Sequence, residues 1–193
     1  MVEFTTKIGF EILQVFTDYS IDKLNISKLS KLTNRSHVSL LPHINNLIEA
    51  NILLEEKNGR NREISLNKES INCFKMMTIA ENYKLLNLIS NNLVIKKIVN
   101  KIKNFDLCIV LFGSYAKNNF TDESDIDIAI FSKQNKSLED KFKSISNIIG
   151  KEIDIKFIPL FDSSDHLSLE ILKDHIILNN PEYLLRGLFY EKN

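Results

Sequence analysis

Leu107-Cys108-Ile109-Val110-Leu111-Phe112-Gly113-Ser114, then ten residues, then Asp125-Ile126-Asp127-Ile128-Ala129-Ile130, is the stretch from which the rest of this 193-residue chain is read. The apolar run before Gly113 predicts a buried strand, and Gly-Ser at its end lets the backbone turn into a helix. A helix start offers free N–H groups and a positive dipole end to phosphate, to which the Ser114 hydroxyl adds a donor. Side chains alternate along a strand, so Asp125 and Asp127 share one face while Ile126, Ile128 and Ile130 pack the other. A third acidic strand, Glu152-Ile153-Asp154-Ile155-Lys156-Phe157-Ile158, follows about one helix later. Its alternation separates Asp154 and Lys156 from Ile153, Ile155 and Phe157, and three carboxylates are expected to converge.

Convergence needs a cause, because two like charges ~4 Å apart repel by roughly 4 kcal/mol at an effective dielectric of ~20. A cation removes that cost. Hard carboxylate oxygens without His or Cys suit Mg²⁺ or Mn²⁺, and Mg²⁺ takes its remaining ligands from water and substrate phosphates. A lone Asp-x-Asp also fits the polar side of an exposed strand. Gly-Ser, the ten-residue gap and the third acidic strand together favour a metal–NTP site.

These residues resemble the minimal nucleotidyltransferase family of the DNA polymerase beta-like superfamily, over about 105–180. The resemblance implies Gly113 and Ser114 on the phosphates, Asp125 and Asp127 as metal ligands, and Asp154 as ligand and base. Lys117 falls where the family often has a basic residue, whereas Asn118 stands where a Gly is usual. Leu167 to Leu178 resembles the family's closing helix and edge strand. The implied activity is transfer of a nucleoside monophosphate from an NTP, with ATP expected, to an acceptor hydroxyl. Such proteins are often antitoxins that modify a partner toxin and repress their own operon.

The N-terminal half has a different pattern. Apolar periodicity at Phe10, Ile12, Leu13, Val15 and Phe16 predicts a helix. A short helix follows over 26–32, opened by Ser27, then a turn at Thr33-Asn34. A third helix is expected to start at Val38 or Ser39, which keeps Pro42 in its first turn, and to stop near Ala50 with Asn51 left-handed. Two strands then flank Asn58-Gly59, a hairpin signal.

This order resembles the winged helix-turn-helix family over residues 8–67. The resemblance puts the third helix in the major groove of duplex DNA. Val38, Leu41, Ile44, Leu47 and Ile48 take its apolar face; Arg35, Ser36, His37, Ser39, His43 and Asn46 face the DNA, and Lys57, Arg60 and Arg62 lie on the wing. A solvated face on a protein-binding module is the other reading.

Between these regions, two helices broken near Ser90-Asn91-Asn92 are expected, with apolar stripes suited to a core or a homodimer seam. The expected fold class is α/β (α+β). A winged helix (1–67) and a helical linker (68–104) precede a polymerase-beta-like nucleotidyltransferase with a small mixed sheet flanked by helices (105–193). Residues 1–104 hold 15 Lys/Arg against 10 Asp/Glu and residues 105–193 hold 10 against 15, so the halves carry +5 and −5. That fits one half facing nucleic acid and one holding cations. Cys73 and Cys108 lie in apolar surroundings without Cys-x-x-Cys spacing, as expected of free thiols in a reducing cytoplasm. No apolar run approaches ~18 residues and no leader-like segment precedes the first helix, so no membrane partner is expected. Two function classes follow: a metal-dependent transferase coupled to DNA binding, or a DNA-binding regulator whose second domain senses a nucleotide without catalysis.

Overall fold

The computed structural model describes residues 6–58, 61–159 and 166–190. Within them the chain forms two compact units, one drawn from Met1–Ala80 and Leu188–Asn193, the other from Glu81–Gly187. None of the described helices is long and apolar enough to cross a membrane.

In the first unit, α1 (Lys7–Val15) is capped by Thr6, whose hydroxyl accepts the Gly9 N–H at 3.1 Å. A two-residue strand, β1 (Leu24–Asn25), leads into α2 (Ile26–Thr33). Asn25, not Ser27, caps α2: its side chain accepts the Lys28 N–H at 2.8 Å. The helix stops at Asn34, whose φ of 51° only Gly, Asn and Asp adopt readily. Next comes α3 (His37–Glu49), capped by Ser36. It begins one residue before the earliest expected start, so Pro42 lies in the second turn rather than the first. Leu40, Ile44 and Leu47 form its buried face, whereas Val38, expected there, is 79% exposed. Asn51 takes the left-handed conformation with φ 57°. Strands β2 (Leu53–Asn58) and β3 (Asn61–Leu66) then form an antiparallel pair, and the sheet order is β1-β3-β2. Asn58 pairs with Asn61, and Gly59 of the expected Asn58-Gly59 turn lies outside the described residues.

Helix α4 (Ile71–Asn91) begins in the first unit and ends in the second. Asn92 caps α5 (Leu93–Ile102), so the break falls where the Asn run predicts it. The expected separate linker, 68–104, is divided between the units. Met77 is buried in the first, and Ile95, Ile98 and Ile102 of α5 lie in the core of the second.

That second core is sheet on helix. The sheet contains β4 (Ile109–Phe112), β5 (Ile126–Ile130), β6 (Ile153–Phe157) and β7 (Ile176–Asn179), in the order β6-β5-β4-β7. A single turn, α6 (Gly113–Ala116), follows β4, and α7 (Lys136–Ile149) makes the crossover that lets β6 run parallel to β5. The other pairings are antiparallel. Ile109, Leu111, Ile126, Ile128 and Ile130 meet α5 and α7, where Phe142 is fully buried. Burying a side chain of that size contributes roughly 1.5–3 kcal/mol. Helices α8 (His166–Lys173) and α9 (Pro181–Tyr190) precede and follow β7. Just before β7, buried His175 meets the buried carboxylate of Glu81 from α4, Nε2 to Oε1 at 3.2 Å. The result is a mixed α/β unit with a small mixed sheet flanked by helices.

Candidate active site

Gly113 holds the centre of the site. It follows β4 with φ +68°, and a Cβ there would stand 2.1 Å from Asp127 Oδ2. Both the backbone conformation and the carboxylate above it therefore require glycine. That closeness follows from the strand register, in which Phe112 pairs with Asp127. The helix expected after Gly-Ser is only the four residues of α6, closed by Asn118 with φ 54°. Its dipole is correspondingly small. Tyr115 stacks on Phe120 at 4.2 Å and 4° between planes, and the Thr121 N–H donates to Ser124 Oγ at 2.9 Å. Together these staple the loop that delivers Asp125.

Asp127 on β5 and Asp154 on β6 are direct cross-strand partners, so their side chains leave the same face at adjacent positions. Asp125 precedes β5 and is exposed, Asp154 is exposed, and Asp127 is half-buried. Burial pushes the Asp127 carboxyl above its usual range, and the charges of Asp154, Asp125 and Glu170 add to the shift; Lys156 opposes it. Two cations are already engaged. Lys156 Nζ lies 2.9 Å from Asp154 Oδ2, and Lys117 Nζ lies 2.9 Å from Glu170 Oε1 on α8. The hydrogen bond to Glu170, above all, raises the Lys117 ammonium pKa, and Asp174 and Asp127 contribute.

Among the described residues no three His, Cys, Asp or Glu side chains stand together as one metal-ligand set. In this arrangement Asp127 and Asp154 are cross-strand partners and Lys156 holds Asp154. The donor chemistry of Asp125, Asp127 and Asp154 fits a hard divalent cation, because all three are carboxylates.

Residues 93–183 match the family model described as Polymerase beta, Nucleotidyltransferase. The matched stretch starts at the first residue of α5 and runs into α9. A Methanocaldococcus jannaschii protein named "Putative protein adenylyltransferase" is 34% identical over 86 residues, which are 43% of this chain. The chain spans 63% of that relative's length.

Sequence reasoning missed Glu170. It reaches Lys117 across 53 residues, and no local pattern marks it.

Outside the matched residues, the nine residues expected at DNA are placed as follows. Arg35 is held by Glu11 through two hydrogen bonds, Nε to Oε2 at 2.8 Å and a terminal nitrogen to Oε1 at 2.9 Å. Ser36 is the cap of α3, the Ser39 hydroxyl donates to the Ser36 carbonyl, and His43 Nδ1 meets Thr6 Oγ1. His37 is exposed and Asn46 half-buried. Lys57 is exposed on β2, Arg62 on β3 pairs with Glu55 and donates to Asn45 Oδ1 at 2.7 Å, and Arg60 lies outside the described residues.

Proposed function

We propose that the chain transfers AMP from ATP to a hydroxyl on a protein acceptor, releasing pyrophosphate. The cross-strand pair Asp127 and Asp154 beside Gly113 is the observation that carries this reading. The name of the archaeal relative supports the choice of AMP and of a protein acceptor. Mg²⁺ or Mn²⁺ would be held by Asp125, Asp127 and Asp154 and would neutralise charge on the triphosphate.

The chain's own residues then divide the work. Gly113 lets the backbone pass close under the phosphates, and Ser114 donates to a phosphate oxygen. Lys117 exchanges Glu170 for the triphosphate. Asp154 takes the acceptor proton as the acceptor oxygen bonds to the α-phosphorus and the bond to the β-phosphate oxygen breaks. Such a step asks for positioning and charge stabilisation more than covalent help from the protein. Incubation with Mg²⁺ and ATP labelled at the α-phosphate tests the reading: wild type is expected to label a protein acceptor, and Asp127→Ala is not. A wild type that binds no Mg²⁺–ATP in calorimetry overturns it.

A second reading adds duplex-DNA binding by the first unit, as a winged helix whose bearer regulates its own operon and modifies a partner toxin. The order of α1, β1, α2, α3, β2 and β3, with α2 and α3 joined by a short turn, supports it. Helix α3 carries no Lys or Arg, so base contacts would rest on neutral groups such as His37, Ser39, His43 and Asn46. A non-catalytic nucleotide sensor coupled to DNA binding differs from this by one result: nucleotide binding without label transfer.

A further inference from the structure

We propose that the acceptor enters as an extended polypeptide segment that pairs with the open edge of β6 and sets a Ser, Thr or Tyr hydroxyl beside Asp154. This rests on the protein-acceptor reading above and adds the docking surface. Strand β6 ends the sheet, and among the described residues it pairs with β5 alone. The ladder fixes which backbone groups are left over. The Ile126 N–H donates to the Glu152 carbonyl at 3.0 Å and the Ile158 N–H to the Ile130 carbonyl at 2.9 Å. Alternate residues of a parallel strand bond to the same neighbour. Glu152, Asp154, Lys156 and Ile158 thus turn inward to β5, while Ile153, Ile155 and Phe157 turn their N–H and C=O groups to the open side. β6 contains no proline and its pairing with β5 runs without a bulge. Such an edge is a template for one more strand.

The same register brings the incoming residue to the chemistry. An added strand lies about 4.8 Å from β6, and its residue opposite Asp154 sends its side chain to the face of Asp154 and Asp127. If the segment runs antiparallel and bonds through Ile153 and Ile155, that residue stands in the narrow pair, with Cα atoms about 4.5 Å apart. A hydroxyl there lies against the carboxylate that is to take its proton. The residues on either side of it point to the opposite face, where a groove lies between α7 and β6. Ile153 and Ile155 floor that groove, and Glu139, Lys143 and Ser146 line its α7 side. Apolar flanks beside the hydroxyl residue are therefore preferred.

The test uses the full-length chain, Mg²⁺, ATP labelled at the α-phosphate, and a pool of octapeptides with Tyr, Ser or Thr fixed near the centre. Wild type is expected to label peptides with apolar flanks, and hydrogen exchange at the Ile153, Ile155 and Phe157 amides is expected to slow when those peptides are added. Ile155→Pro removes one outward N–H and no bond to β5. It is expected to keep Mg²⁺–ATP affinity and to lose labelling by about tenfold or more. Should that variant misfold, the wild-type exchange pattern still decides. Equal labelling by Ile155→Pro with unchanged exchange at the three amides overturns edge docking and leaves the transferase reading intact. ATP binding with no labelled peptide, or with label carried onto a short RNA instead, overturns the peptide segment as acceptor. A chain that binds no Mg²⁺–ATP defeats the transferase reading, and the docking proposal falls with it.

Discussion

Gly113 has two independent reasons to be glycine, and each can be tested. In Gly113→Ala the new methyl meets Asp127 Oδ2, and φ +68° costs an L-residue about 1–2 kcal/mol. We expect lost nucleotide binding together with a lower melting temperature. Ser114→Ala removes one donor to a charged phosphate, roughly 1.5–3 kcal/mol, and calorimetry should show ATP binding about tenfold weaker or more. Glu170→Gln should act oppositely, because it frees Lys117 and removes one negative charge facing Asp127. ATP should bind more tightly, and the Asp127 carboxyl, followed by carbon NMR, should titrate at lower pH than in wild type. The cysteines report on burial. Burial pushes the thiols of Cys73 and Cys108 up to about 12. An unfolded thiol ionises near 8.5, so the unfolded chain releases protons that the folded one keeps. Stability is full below that pH and falls through the window up to about 12, by about 1.4 kcal/mol per pH unit for each thiol. Urea midpoints at pH 8 and pH 10.5 check the sign, and iodoacetamide should label neither cysteine in the native protein.

Strands of the second unit were legible because a period of two with Asp on one side and Ile on the other has few alternative readings. The crossover by α7 follows from the parallel pairing of β5 and β6. Caps were less legible. Asn25 and Ser27 are both good N-cap residues, and only the short β1, which pairs with β3, puts Asn25 at the junction. Propensity alone has no view of such a partner forty residues away. The buried face of α3 differs from the expected one for a related reason: its apolar residues spread over more than half of the helix circumference, so tertiary packing, not periodicity, chose Leu40 over Val38. Glu81 was invisible as a structural residue because its partner, His175, belongs to the last strand's approach. Replacing Glu81 by Ala leaves that ring without its carboxylate in a buried place. We expect the second unit to lose ~1–3 kcal/mol, read from its chemical denaturation.

Across the whole molecule the charge division of +5 over residues 1–104 and −5 over residues 105–193 does not follow the two units: Met1–Ala80 with Leu188–Asn193 hold 11 Lys/Arg against 10 Asp/Glu, and Glu81–Gly187 hold 14 against 15. Arg35 and Arg62 are held by Glu11 and Glu55. If the first unit binds duplex DNA, each phosphate contact adds about 0.9 to the slope of log affinity against log salt. Replacing Lys57, Arg60 and Arg62 with Ala should reduce that slope by up to ~3. The engagement of Arg62 with Glu55 brings the expected reduction nearer ~2, and titration of full-length protein against its own promoter at two salt concentrations measures it. The winged-helix pattern spans residues 8–67, and the first unit also takes in Leu188–Asn193. Phe74 packs against Phe189 and Tyr190 of α9, with ring centroids 6.0 Å and 5.5 Å apart. A ribosome releases the chain from its N-terminus, so Phe74 emerges long before the rings that close over it, and the whole second unit is synthesised in between. The unit made first is completed last, and a message truncated after Gly187 would yield a finished second unit joined to a first one that lacks its final aromatic partners.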